Sequence, residues 1–167
     1  MLTEDRSTTP ITTRADAIVE FLEGEGVSYE LIEHEPTMSA AAEARTTHRS
    51  PDQVAKTIVL HDGSGYVIAV IPASERLDLH KLREALGARR RLHLAGEDEI
   101  AREFPTLEVG AVPPFGPMVP AAEVIDSTLL ERRRILCPAG DHRHSVLVSP
   151  LDVLRITGAS TAYICQD

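Results

Sequence analysis

Cysteine is nearly missing from this chain. Cys137 and Cys165 are too few for a disulfide framework and are not spaced as a metal-binding pair, which leaves reduced packing residues. No apolar run approaches the length of a membrane-spanning helix, and the first ten residues, M-L-T-E-D-R-S-T-T-P, lack the apolar centre of a signal peptide. The expectation is a cytoplasmic protein with no membrane partner. Positive charge is also in deficit: 17 Lys and Arg face 26 Asp and Glu, for a net charge of −9. That balance argues against a wide grip on DNA or any other nucleic acid, which relies on many phosphate neutralisations. A polyanion would have to be held locally. Arg89-Arg90-Arg91 and Arg132-Arg133-Arg134 are the two clusters able to do it, although charge runs of three are commonly solvated surface.

Internal repeats and low-complexity linkers are absent as well. What is present is an ordinary globular composition, 43% apolar and 26% charged over 167 residues, enough for one domain with a real core. Residues 1–12 are polar and aperiodic and read as a flexible tail, with a single domain over 13–167. Ala17, Ile18, Phe21 and Leu22 recur at helical spacing after a cap at Thr13. Residues 29–34 read as a strand ended by Pro36. Residues 39–47 form an alanine-rich helix capped by Ser39. Ser50-Pro51-Asp52-Gln53 has the pattern of a capping box with proline at the first helical position. It leads into the β-branched run 56–60, the turn Asp62-Gly63-Ser64-Gly65 and a second strand over 66–71, the clearest hairpin in the sequence. Leu77, Leu79, Leu82 and Leu86 mark a further helix with Asp78 near its start and Gly87 after its end, and helices are also expected at 97–104 and 150–156. Strands are expected at 91–94, 123–126, 134–137, 145–149 and 163–165, with a helical turn near Leu129. This irregular alternation predicts an α+β domain with a mixed, largely antiparallel sheet flanked by short helices.

Two features stand out chemically. Residues 108–117 read E-V-G-A-V-P-P-F-G-P. Pro113, Pro114 and Pro117 fix φ and carry no N–H, whereas Gly110 and Gly116 can take positive φ and admit close approach to the main chain. Gly110, Ala111, Val112, Phe115 and Gly116 keep backbone donors that such a loop either offers to a ligand or leaves in a rigid connection. Lys56 enters the hairpin immediately before an apolar run, where an ammonium gains nothing from burial. It is either an edge lysine that discourages strand pairing or a cation aimed at a phosphate or at developing negative charge.

As an ordered set, these residues resemble the YbaK and prolyl-tRNA synthetase associated domain family of aminoacyl-tRNA editing domains. The resemblance covers about residues 13–164. It rests on E-H-E-P-T at 33–37, the alanine-rich helix, K-T-I-V-L at Lys56, I-P-A-S-E-R-L-D-L at 71–79, the G-x-x-x-P loop from Gly110 to Pro114 followed by Phe115-Gly116, and A-G-D-H at 139–142. A lone G-x-x-x-P is weak; the ordered combination is specific. The resemblance implies a freestanding deacylase acting on the acceptor end of mischarged tRNA, with no cofactor and no metal. Donors of Gly110, Ala111 and Val112 would stabilise the oxyanion, and Lys56 would hold the terminal phosphate or sugar region or assist at the reacting centre. Water attack would be assisted by the substrate's free ribose hydroxyl. Thr57, Pro114, Phe115, Gly116, Gly140 and His142 would line the substrate pocket. No Ser-His-Asp arrangement is evident, and this chemistry requires none.

His142 could line the amino-acid pocket or sit solvated on a turn. His142 and His144, with no separated third ligand, make an incomplete metal site. The chain departs from the usual family loop at Pro113 and Pro117, which remove donors and stiffen the wall, and at Asp141, where small polar residues are common. The altered loop and the acidic charge keep a second class open, a non-catalytic module that binds an aminoacyl adenosine, a nucleotide or a protein. A hydrolase of small esters or amides unrelated to tRNA is a third reading.

Overall fold

A computed structural model of the chain describes residues 14–87, 91–115 and 121–167. Thr13, Arg89, Arg90, Gly116 and Pro117, and the proposed tail, lie outside these. The chain runs α1 (Arg14–Gly24), β1 (Tyr29–Glu33), α2 (Ala40–Thr46), a 3-10 turn (Pro51–Gln53), β2 (Ala55–His61), β3 (Tyr66–Pro72), α3 (Leu79–Leu86), β4 (His93–Leu94) and α4 (Glu97–Glu103). It continues through β5 (Ala122–Asp126), a 3-10 turn (Ser127–Glu131), β6 (Ile135–Pro138), β7 (His144–Val148), α5 (Pro150–Thr157) and β8 (Ser160–Ala162). Three strands form an antiparallel sheet in the order β1-β7-β6, and five form a mixed sheet in the order β4-β2-β3-β5-β8. In the second sheet β2 pairs antiparallel with β3 and β4, whereas β3-β5 and β5-β8 are parallel. The fold is the mixed, largely antiparallel α+β arrangement expected from the sequence.

Strand β3 explains its own unbroken apolar run. It lies between β2 and β5, and alternate side chains point to opposite faces. Ile68 and Val70 join the cluster between the layers with Ile18 and Leu22 of α1, Ile125, Phe115 and Val146. Val67, Ala69 and Ile71 face the other way, onto Leu82 of α3, Val124 and Ile164. Each fully buried aliphatic side chain stabilises the fold by roughly 1.5–3 kcal/mol. A third cluster, Ala44, Val54, Leu136 and Leu147, seats α2 against β6 and β7. The two sheets are joined beside it by a parallel bridge between Val54 and Leu136. That bridge sits one residue before β2 and fixes the start of the strand that carries Lys56.

Most boundaries fall where local chemistry puts them. Ser39 caps α2 by accepting the Ala42 N–H at 3.1 Å, and Asp78 caps α3 by accepting from His80 and Lys81. Asp62 closes the hairpin by accepting the N–H groups of Ser64 and Gly65. Three expectations are corrected. The expected capping box at Ser50 is absent: the segment is a single 3-10 turn in which the Gln53 N–H goes to the Ser50 carbonyl, leaving the hydroxyl uncommitted to the cap. The strand expected over 91–94 shortens to His93–Leu94. The last strand is Ser160–Ala162 rather than 163–165; Tyr163 is 66% exposed, and Cys165 makes only an isolated bridge to Leu77.

Candidate functional site

The turn at 139–142 holds two segments at once. On one side, the His34 N–H donates to the Arg143 carbonyl at 2.8 Å and the Thr37 N–H to the His142 carbonyl at 2.9 Å. On the other, the Glu108 N–H donates to the Gly140 carbonyl at 2.8 Å and the Gly140 N–H to the Ala111 carbonyl at 3.0 Å. The E-H-E-P-T segment and the glycine-proline loop are therefore braced by one turn, although they are far apart in sequence. Glycine is required at both contact points. Gly110 has φ of +87°, and a Cβ there would stand 3.4 Å from His142 Cε1 and from the Met38 carbonyl oxygen. Gly140 has φ of +92°, and a Cβ there would press within 3.2 Å of Arg14 Cβ on α1.

Between β2, the start of α2 and this loop lies a cavity of about 180 Å³, whose lining includes Lys56, Thr57, Glu43, Gly110 and Val112. Lys56 is exposed, and β4 pairs only with Leu60 and His61, so the Lys56 end of β2 has no strand neighbour on that side. The cavity is rich in uncommitted donors. The Thr57 hydroxyl is buried with no hydrogen-bond partner. Among the described residues no partner is seen for the N–H of Gly110 or Val112, whereas the Ala111 N–H is taken by the Glu108 carbonyl at 3.0 Å. A second cavity of about 10 Å³, room for about one water, shares the walls Ser39, Glu43, Gly110 and Pro138 and is otherwise lined by residues such as Ala111, His142 and Ser145.

Glu43 stands in the partition between the two. It is only 4% exposed, and burial pushes its carboxyl up to about 7, an effect that the hydrogen bond from Ser145 partly offsets. Ser145 Oγ also meets His34 Nε2 at 2.8 Å, and His34 Nδ1 lies 2.7 Å from the Glu35 carbonyl oxygen. A carbonyl only accepts, so Nδ1 carries a proton. With neutral His34, the Ser145 hydroxyl then donates to Nε2 and a protonated Glu43 donates to Ser145. With cationic His34, Nε2 donates to Ser145, which donates to ionised Glu43. The same two protons satisfy both arrangements, so the chain can pass a proton between the partition and the strand end without breaking a contact. Glu43 also adds to the burial that pushes the Cys137 thiol well above its usual range, leaving that cysteine an inert packing residue.

Other polar groups of the smaller cavity are largely matched, except His142 Nδ1, which is buried with no hydrogen-bond partner. Asp141 accepts from the Arg143 N–H at 2.8 Å and from His144 Nδ1 at 2.9 Å. His144 Nε2 lies 3.6 Å from Glu33, and His142 Nε2 lies 3.7 Å from Glu108. The two histidines face different carboxylates, and among the described residues no three His, Cys, Asp or Glu side chains converge to hold a metal ion.

Of the expected site residues, Lys56, Thr57, Gly110 and Val112 share the larger cavity, and Ala111 and His142 reach the smaller one. Phe115 is a correction: it is fully buried in the core, its ring centroid 6.0 Å from that of Phe21. Pro114 is likewise buried, and Gly140 braces the loop from behind. Gly116 falls outside the described residues. Glu43 and Ser145 are not singled out by the sequence, which places His34 only at the end of a strand and within E-H-E-P-T.

These features define a class of protein, an α+β domain in which a main-chain loop and a lysine line one small cavity. The aminoacyl-tRNA editing domain model matches residues 34–156. The chain belongs to the aminoacyl-tRNA editing domain family. A relative, the prolyl-tRNA editing protein ProX of Acetoanaerobium sticklandii, is 26% identical over 150 residues, covering 86% of this chain and 90% of ProX. Among solved structures, a hypothetical protein superposes with a TM-score of 0.81 at 26% identity, over 89% of this chain and 99% of its own. A structure described as a candidate trans-editing enzyme for prolyl tRNA synthetase gives a TM-score of 0.82 at 24% identity, over 95% and 100%. Among the described residues no helix is long and apolar enough to cross a membrane.

Proposed function

We propose that the chain is a deacylase that acts in trans on mischarged aminoacyl-tRNA, hydrolysing the ester at the 3′-terminal adenosine. The observation that carries this reading is the cavity lined by Lys56, Gly110 and Val112, where an exposed lysine shares the wall with main-chain N–H groups that have no partner among the described residues. Ester hydrolysis builds negative charge on the carbonyl oxygen, and donors fixed before the reaction stabilise it. Gly110 and Val112 supply them; Ala111, whose N–H is already engaged, holds the loop in shape. Lys56 anchors the terminal phosphate and sugar region, and the Thr57 hydroxyl gives the substrate a polar contact. Water, positioned with help from the free ribose hydroxyl, adds to the carbonyl carbon, the acyl C–O bond breaks, and the ribose oxygen ends with the proton. The Glu43, Ser145 and His34 chain takes up and returns that proton at the cavity wall.

The names of the relatives direct the choice of substrate to tRNA that accepts proline, acylated with a non-cognate amino acid. The test is amino-acid release from a panel of mischarged tRNAs by the wild type and by Lys56→Ala. Release by the wild type and a loss of about 100-fold or more in the variant is expected, the range for removing one charge-stabilising group. No release on any substrate, or equal release by the variant, contradicts the reading. Tight binding without turnover would favour the non-catalytic module instead.

A further inference from the structure

A third cavity, also of about 180 Å³, is lined by Arg49, Gln53, Arg133, Arg134 and Leu147. Arg133 and Arg134 belong to a basic run that the catalytic site does not use. In a chain of net charge −9 their convergence with Arg49 is a local reversal of sign. It is also largely uncompensated. Arg134 meets Glu30 only at 3.9 Å, and among the described residues no carboxylate lies within ion-pair distance of Arg49 or Arg133. Arg49 Nε is buried with no hydrogen-bond partner. Neighbouring Arg132 is spent on structure, its Nη2 2.7 Å from Asp52, tying the 3-10 turn to the segment that carries Arg133 and Arg134. Arginines held this way present planar forks suited to phosphate oxygens.

The position of this cavity is fixed by two elements that each reach both sites. Helix α2 starts at the Lys56 cavity, where Ala40 and Glu43 line the wall, and Arg49 follows its far end. Strand β6 starts just after Arg134 and ends at Pro138, which lines the Lys56 cavity. Seven helical residues at 1.5 Å rise span about 10 Å, and four strand residues at 3.3 Å span about 13 Å. At about 3.4 Å per step of a stacked strand, the two cavities are roughly three to four nucleotides apart.

We infer that the Arg49, Arg133 and Arg134 cavity is a phosphate subsite for the RNA strand whose 3′ end occupies the Lys56 cavity, gripping the backbone about three to four nucleotides in. This rests on the deacylase reading for what fills the Lys56 cavity, but it is tested without turnover. Such a subsite explains how an acidic protein holds a polyanion: the grip is confined to one pocket set at a defined distance from the reacting end.

The probe is an uncharged RNA stem-loop bearing an acceptor 3′ end, with binding followed by fluorescence anisotropy across a salt series. The wild type is compared with Arg133→Gln/Arg134→Gln, both exposed positions, and with Arg49→Gln. The expected result is binding at least 10-fold weaker in the variants, with a log–log salt slope shallower by about 0.7 for each phosphate that the protein no longer neutralises. Shortening the 3′ strand to a dinucleotide should erase the difference between wild type and variants. Unchanged affinity and slope in Arg133→Gln/Arg134→Gln overturns the inference. Where turnover is present, the variants should raise KM for full-length substrate with kcat unchanged and leave hydrolysis of an aminoacyl-adenosine ester unaffected. Equal loss on both substrates also overturns it. Loss of turnover on every substrate by the wild type would instead defeat the deacylase reading, with the binding result standing separately.

Discussion

The two adjoining cavities share a wall and differ in what their polar groups do. In the smaller one, Asp141, His144, Ser145 and His34 bond chiefly to one another and to the neighbouring main chain. In the larger one, the Thr57 hydroxyl and the N–H groups of Gly110 and Val112 have no partner among the described residues, and Lys56 has no ion pair there. A saturated network rigidifies; an unsaturated one is costly unless something completes it. In the histidine-rich turn Asp141 and His144 are paired and help hold the loop in place, and of its groups His142 Nδ1 is buried without a hydrogen-bond partner. The plainer side carries the uncommitted donors that a substrate can engage.

Substitutions can break this contrast in decreasing order of effect. Lys56→Ala removes the one cation among the described residues lining the larger cavity, and its loss of about 100-fold or more in kcat/KM should leave thermal stability unchanged, because the ammonium is exposed. Glu43→Gln acts on the partition and should show in stability. The native carboxyl is raised to about 7 from an ordinary value of 4.5, so the native state holds its proton more tightly than the unfolded chain. Below about pH 4.5 both states are protonated and burial carries no ionisation cost. As pH rises through 7, wild-type stability should fall, by about 3 kcal/mol in total. Glu43→Gln lacks that fall, so chemical denaturation should find it more stable than wild type at pH 8 and no more stable at pH 4.5. Titratable residues that line the cavities beside Glu43 include His34, Asp141, His142, His144 and Lys56, and Cys137 is coupled to it from β6; Gln at 43 leaves them in place while removing the buried charge. The smallest effect is expected of Gly110→Ala, which forces a side chain onto a φ of +87° with 3.4 Å contacts to His142 and Met38. It should cost about 1–2 kcal/mol and lower kcat/KM by about 10-fold by moving the donors.

The exposed position of Lys56 at the entry of β2 was legible because an ammonium ahead of an apolar run gains nothing from burial, and the hairpin because β-branched runs flank an Asp-Gly turn. The core face of β3 was legible in outline, since a strand buried on both sides reads as a continuous apolar run. Phe115 was misread because proline and glycine mark a loop without saying which way its one aromatic side chain turns; the packing of the rest of the chain decides that. Tyr163 drew the last strand too far toward the C-terminus, as aromatic propensity outweighed a segment whose pairing partner, β5, lies distant in sequence. Glu43 was invisible because an alanine helix has no strong apolar stripe, so nothing in α2 announced which face would be buried. The proton chain needed β7 laid beside β1, a relation that only the tertiary fold supplies.

The most direct test of the contrast is a titration of the isotope-labelled protein with a non-hydrolysable 3′-aminoacyl-adenosine analogue, followed by amide chemical shifts. The Gly110 and Val112 amides should move most, with Lys56 and Thr57, while Asp141, Arg143 and Ser145 stay nearly fixed. Large shifts confined to 141–145, with Gly110 and Val112 unmoved, would contradict the account.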